Sequence, residues 1–304
     1  MMEPIILPRI SDQKPLVSII SITYNHEPYI RECLDGFLMQ KVDFPIEIIV
    51  HDDASTDHTA DIIREYYEKR PDLFHVIIER ENQQSRHTRV GLRLYDLAQG
   101  KYVALCEGDD YWIDPLKLQK QVDCCENNDV IGCVSYHYLD KDGVRTLDDF
   151  RRDVTVITKE MTNLHYFHTS TYVFRTSAVV EALKRYKELA MHSWADTIMF
   201  NCLCSLGDFK IIQEPLSCRR FTYRGKASSL TTKQHWHNIY LRQKTLLYLF
   251  GPREMKKYHR RPCIMGLIKS ILDRDINIKI KWQSFRQLFF ILTLSKKYCL
   301  DKNL

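Results

Sequence analysis

The chain has 304 residues, of which 44% are hydrophobic and 27% charged, with ten glycines and ten prolines. That balance excludes a disordered, collagen-like or low-complexity chain and supplies enough apolar residues for a sizeable core. The net charge of +5 is unevenly placed: residues 241–304 carry 15 Lys or Arg against 4 Asp or Glu, a surplus of 11 that leaves −6 for the first 240.

Met1–Pro8 has neither a basic start nor an apolar core, so no signal peptide is expected. No later apolar run reaches the ~20 residues of a membrane-spanning helix. Val17–Ile22 predicts a buried strand that runs into Thr23-Tyr24-Asn25-His26-Glu27-Pro28, followed by an amphipathic helix from near Tyr29 (Ile30, Cys33, Leu34, Phe37, Leu38). A second β-branched run, Ile48–Val50, ends in His51-Asp52-Asp53-Ala54-Ser55-Thr56-Asp57 and leads into a helical pattern (Ala60, Ile62, Ile63, Tyr66, Tyr67). Ser55 or Thr56 is the expected N-cap, and Asp57 the charge that offsets the helix dipole. A third run, Tyr102–Cys106, ends in Glu107-Gly108-Asp109-Asp110-Tyr111-Trp112.

Three strands ending in polar turns, two of which lead straight into helices, predict a parallel α/β sheet whose turns converge on one rim. That rim, at the carboxyl ends of the strands, is where open α/β sheets bind ligands. Clustered carboxylates repel one another and coexist most readily around a hard cation such as Mg²⁺ or Mn²⁺. Further on, His168 precedes a strand expected over Thr171–Phe174, and Asp196 heads a helical pattern (Ile198, Met199, Cys202, Leu203, Leu206). Arg219, Arg220, Arg224 and Lys226 make a basic loop after a strand expected over Glu214–Cys218. None of the ten cysteines has the paired C-x-x-C spacing of a zinc site, and reduced thiols in a cytoplasmic protein are expected.

Taken together, Ser18–Asn25 with Glu27, Asp52–Asp57 and Glu107–Trp112 resemble the family-2 glycosyltransferases of the GT-A fold. Weaker similarity continues to about Arg220 through Phe167–Thr171 and Trp194–Thr197. The resemblance implies a Rossmann-like, mostly parallel sheet flanked by helices. It would form a catalytic domain over 1–235, with a donor half at about 15–115 and an acceptor half at about 116–235. A helical, basic extension would follow over 236–304.

The implied activity is metal-dependent, inverting transfer of a sugar from a nucleotide-diphosphate donor, most commonly uridine-based, to a saccharide or lipid-linked saccharide. Tyr24 would lie against the base with Thr23, Asn25 and Glu27 beside it, and Asp52 or Asp53 would accept the base imide N–H. Asp109 would hold Mn²⁺ or Mg²⁺, while Glu107, Gly108 and Asp110 would complete the donor loop. Arg220 would meet the diphosphate. His168 is open to two readings, a structural side chain or a contact to donor phosphate or acceptor. Asp196 would be the base, and alanine precedes it where many relatives carry a second acid.

The basic tail, with Lys256–Arg261 beside the apolar Leu288–Leu294, suits an anionic membrane surface at the inner face of the cell membrane or an ordinary helix packed on the domain. No nucleic-acid motif accompanies it. A sugar nucleotidyltransferase would carry a glycine-rich loop near residues 16–30, which contain no glycine. A scaffold that binds sugar nucleotide without catalysis is the rival from outside the enzymes.

Overall fold

The computed structural model describes residues 3–83, 90–148, 154–158, 167–186 and 196–222, together with Leu249, Lys281, Trp282 and Phe285. The chain forms two units. One comprises Met1–Val156, Phe167–Arg185 and Asp208–Phe221; the other comprises Ile157–Tyr166, Tyr186–Gly207 and Thr222–Leu304. The expected boundary at 235 and nearly all of the basic extension lie outside the described residues.

The first unit is built on one sheet. Its strands are β1 (Ile5–Leu7), β2 (Val17–Thr23), β3 (Ile46–Asp52), β4 (Phe74–Ile78), β5 (Tyr102–Leu105), β6 (Tyr111–Trp112), β7 (Gly132–Lys141) and β8 (Val144–Asp148). After the two-residue β9 (Val156–Ile157) come β10 (Val173–Arg175) and β11 (Phe209–Arg220). The order is β1-β4-β3-β2-β5-β10-β7-β11-β6, with β8 on β7.

The parallel core is β4-β3-β2-β5. Beyond it the sheet is more mixed than expected: β10 runs antiparallel to both β5 and β7, and β11 is parallel to β7. β8 folds back antiparallel on β7 through a two-residue hairpin in which Asp142 (φ 54°) and Gly143 (φ 82°) both adopt the left-handed region that such a tight turn needs.

The helices are α1 (Ile30–Leu38), α2 (Thr59–Lys69), α3 (Val90–Leu97), α4 (Lys117–Glu126) and α5 (Thr176–Arg185). One continuous core joins the apolar stripes of α1, α2 and α4 (Cys33, Phe37, Ile63, Leu118, Val122) to one face of the sheet (Ile19, Ile48, Val50, Ala104, Val173). Alternation turns Phe174 to the other face, where its ring meets Tyr95 of α3 at 6.4 Å. Removing each such side chain from water contributes roughly 1.5–3 kcal/mol.

In the second unit, α6 (Asp196–Cys204) begins at Asp196 as expected and buries Ile198, Met199, Cys202 and Leu203. No helix among the described residues is long and apolar enough to cross a membrane.

Candidate active site

The carboxyl ends of β2, β3 and β5 lie side by side, because Thr23 pairs with Asp52 and Ile20 with Leu105. β3 and β4 lie on one side of β2 and β5 on the other, which makes the β2/β5 boundary the topological switch point at which open α/β sheets bind ligands. All three acidic or polar turns meet there, as their sequence predicts.

The first two turns interlock. Asn25 (φ 54°) donates its N–H to Ser55 Oγ at 2.9 Å, and its Oδ1 accepts from Thr56 N–H at 2.8 Å. His26 N–H reaches Thr59 Oγ1 at 2.9 Å, and Asp53 N–H reaches the Thr23 carbonyl at 2.9 Å. The expected cap on α2 is corrected here. His58 occupies the N-cap position, because Ser55 instead closes a turn on Asp52 through both its N–H (3.0 Å) and its hydroxyl.

The orphan N–H groups at the start of α2 are met by Glu27, which accepts from His58 N–H at 3.1 Å, and by Asp57, which accepts from Thr59 N–H at 3.0 Å. Burial opposes ionisation of Asp57, yet the bonds from Thr59 and Glu27 N–H hold its carboxyl below the usual range. Burial pushes Asp52 up against the Ser55 bonds that favour its charge. Asp53 is almost fully buried and accepts from Gln83 N–H at 2.6 Å. Tyr24, by contrast, keeps 43% of its surface exposed at the end of β2.

The third turn packs against the first through Gly108. A Cβ there would stand 2.7 Å from Thr23 Oγ1 and 3.0 Å from His26 Nδ1, so only glycine lets the acid loop approach so closely. Gly108 N–H also bonds the Ile22 carbonyl at 3.0 Å.

Asp109 has its Oδ2 3.9 Å from His26 Nε2. Burial lowers the pKa of His26 against the pull of the Asp109, Asp57 and Asp52 charges. Asp110 is 2% exposed; its Oδ1 accepts from Arg220 N–H at 2.7 Å and its Oδ2 lies 3.3 Å from His168 Nδ1. Burial, then the charges of Asp109 and Glu107, raise Asp110 well above the carboxylate range.

His168 caps a 3-10 turn, Thr169–Thr171, that leads into β10. Thr169 donates its hydroxyl to Glu107, and Ser170 Oγ lies 3.0 Å from His168 Nδ1. Burial, then the charges of Arg219 and His137, hold His168 well below its usual pKa. One ligand atom from each of Glu107, Asp110 and His168 lies within 4.8 Å of the others. Two carboxylate oxygens and a neutral imidazole nitrogen form a fitting partial set for Mn²⁺ or Mg²⁺, and like charges packed this closely call for a counter-charge.

Arg220 sits at the same place but is tied down. Its guanidinium donates to the Asp109 carbonyl at 3.0 Å and to Glu32, and it lies 4.3 Å from the Tyr111 ring centroid and 5.1 Å from that of Tyr29. Arg224 and Lys226 lie outside the described residues. Asp196 opens α6 in the second unit, and its side chain is also outside them.

His26 and Thr169 enter the site without having been singled out from sequence. A polar Thr-Ser-Thr run directly after a buried histidine was the available signal for Thr169. His26 had no signal beyond its place within the first turn.

Residues 18–205 match the sequence profile of Glycosyl transferase family 2. An uncharacterized protein of Mycobacterium tuberculosis is 41% identical over 171 residues, covering 52% of this chain and 46% of its own length. A UDP-Glc:α-D-GlcNAc-diphosphoundecaprenol β-1,3-glucosyltransferase of Escherichia coli is 34% identical over 131 residues, covering 43% of this chain and 49% of its own. The chain thus spans about half the length of these curated relatives. Among solved structures, Staphylococcus aureus TarS 1–349 in complex with UDP-GlcNAc superposes with a TM-score of 0.65 at 16% identity, covering 90% of this chain and 81% of that one. This last likeness is one of fold.

Proposed function

We propose, for a chain that belongs to glycosyl transferase family 2, that it moves a sugar from a nucleoside-diphosphate donor to a saccharide or lipid-linked saccharide in surface polysaccharide or glycolipid synthesis. The observation that carries this reading is the convergence of Glu107, Asp110 and His168 at the rim where β2 and β5 end, a rim on which Tyr24, directly after β2, stands exposed. Relatives named for UDP-glucose transfer or bound to UDP-GlcNAc support uridine as the base.

In this reading Tyr24 offers the base a flat apolar face, with Thr23, Asn25 and Glu27 beside it. Asp52 or Asp53 accepts the base imide. Glu107, Asp110 and His168 hold Mn²⁺ or Mg²⁺, with Asp109 in the same loop as the ligand that the resemblance favours. When bound, the cation offsets the charge that develops on the leaving nucleoside diphosphate. Arg220 holds the acid loop through the Asp109 carbonyl and the Asp110 carboxylate, which keeps the donor loop in place.

The proposed base is Asp196. Taking the acceptor proton on the face opposite the leaving group gives inversion at the anomeric carbon. Residues 1–235 are proposed as the catalytic domain, and the basic residues beyond as a surface for anionic lipid on the cytoplasmic side.

The test is thermal stability with a panel of nucleoside diphosphates and sugar nucleotides, each with Mn²⁺ and with chelator. A shift specific to one base and dependent on the cation is expected. No shift with any nucleotide would overturn the donor site, and a shift without acceptor-dependent release of nucleoside diphosphate would favour a scaffold.

A further inference from the structure

The turn that carries His168 is gripped from behind by side chains that the chemistry itself does not use. Its carbonyls can be accounted for one by one. His168 C=O accepts from Thr171 N–H at 2.9 Å, and Thr169 C=O from Tyr172 N–H at 3.0 Å. The next two carbonyls accept from side chains. Ser170 C=O takes the indole N–H of Trp112 at 3.1 Å, and Thr171 C=O takes Nε2 of Gln121 at 2.7 Å. Both donors belong to the segment that directly follows the acid loop: Trp112 lies two residues after Asp110, and Gln121 lies one helical turn into α4.

Lys117 completes this assembly. It is fully buried, lies one turn before Gln121 on the same face of α4, and places its Nζ 4.3 Å from the Trp112 ring centroid. Its hydrogen-bond partner is Gln121 Oε1, at 2.5 Å. A lysine ammonium or amine donates readily to such an oxygen, whereas a carboxamide has one accepting end and one donating end. Lys117 therefore turns the Gln121 oxygen toward itself, and the amide NH₂ is left facing the carbonyls of Thr171 and Cys133 (2.7 and 3.3 Å). Without that partner the Gln121 oxygen would be a buried, unpaired acceptor, and the amide would lose the reason for its orientation.

We propose that Trp112, Lys117 and Gln121 are positioning residues that fix the His168–Thr171 turn against the acid loop, with Lys117 setting the polarity of the Gln121 amide. The segment that supplies Glu107 and Asp110 thereby also holds the third member of the cluster in register, although His168 lies 58 residues beyond Asp110 in the chain. The consequence for cation affinity rests on the reading of Glu107, Asp110 and His168 given above; the consequence for the turn does not. Outer partners that orient ligands are typically worth 10–100-fold in metal affinity.

The experiment compares the full-length protein with Lys117→Met, Gln121→Met and His168→Ala by two measurements. The first is amide hydrogen exchange without ligand. Lys117→Met and Gln121→Met are expected to speed exchange at Thr171 and Tyr172 at least tenfold, while β3 (Ile46–Asp52) exchanges as in wild type, which also verifies that the variants fold. The second is calorimetric titration with Mn²⁺ alone. Affinity should fall about tenfold or more in Lys117→Met and Gln121→Met, with saturating Mn²⁺ still binding one equivalent, and it should vanish in His168→Ala.

Unchanged exchange at Thr171 and Tyr172 in both Met variants overturns the proposal, whatever the cation does. Faster exchange at the turn with wild-type Mn²⁺ affinity also overturns it, since the residues would then hold the turn without positioning a ligand. If wild type binds no Mn²⁺, or His168→Ala binds it equally, the cation reading falls and exchange alone decides whether the turn is held. Should Lys117→Met fail to fold, Gln121→Met carries both measurements.

Discussion

Asp110 Oδ2 stands 3.3 Å from His168 Nδ1, with both side chains largely withdrawn from solvent. The carboxylate is pushed up by burial and by its acidic neighbours, and the imidazole is pushed down by burial and by the charge of Arg219. Such a pair is costly in a fold that needs only stability, and it becomes useful when a cation is present.

Asp110→Asn separates those two roles. The amide oxygen can still accept the 2.7 Å bond from Arg220 N–H, and the repulsion with Asp109 and Glu107 is gone. In chelator the variant should therefore melt no lower than wild type. With Mn²⁺ at about a hundredfold over its dissociation constant, wild type should gain about 2.7 kcal/mol and the variant less than half of that. Equal gains would show that the cation binds elsewhere.

Tyr24 exposes 43% of its surface at the end of β2, so its ring adds little to the core. Tyr24→Ala should change the unfolding free energy by less than about 0.5 kcal/mol. Loss of base stacking should weaken nucleotide binding by roughly 1–3 kcal/mol. A titration with uridine diphosphate and Mn²⁺ checks this, and wild-type affinity in the variant would move the base to another platform.

The three turns were legible because each follows a short apolar run, and the physics of a parallel sheet then carries their carboxyl ends to one rim. Asp52 and Asp110 could be placed in this way from local pattern alone. The partnership of Asp110 with His168 could not, since it depends on β10 inserting antiparallel between β5 and β7, a pairing with no local signature. The α2 cap was misread for a related reason: Ser55 is a good capping residue, but Asp52, three positions earlier, offers a nearer partner. Lys117 and Gln121 had a readable clue, since they share a helical face with Leu118, Val122 and Cys125. Polar residues on an apolar stripe are more informative than the stripe itself.

Burial pushes Lys117 down to about 7 from an ordinary value near 10.5. Between those pH values the unfolded chain holds a proton that the folded chain has released, so this group makes stability rise with pH across the window. The slope contributed is at most about 1.4 kcal/mol per pH unit. Cys125, pushed up to about 12 by burial, acts in the opposite sense at higher pH, and it does so in a Lys117→Met variant as well. The difference in unfolding free energy between wild type and Lys117→Met, measured by urea titration from pH 7 to 9, should therefore grow in favour of wild type. Parallel curves would mean that Lys117 keeps its charge in the fold.

Asp196→Asn tests the proposed base. Asp196 is the first residue of α6, where losing a negative charge should cost the helix no more than about 1 kcal/mol, so the start of α6 should survive the change. The amide cannot take a proton from an acceptor hydroxyl, however, and a lost general base typically costs 10²–10⁴ in rate. Binding of sugar nucleotide with Mn²⁺ should stay within about twofold of wild type, because the donor contacts proposed here all lie on the first unit. Acceptor-dependent release of nucleoside diphosphate should fall by about a hundredfold or more. A drop in binding of similar size would make Asp196 part of the donor site, and near wild-type release would mean that the proton goes to another group.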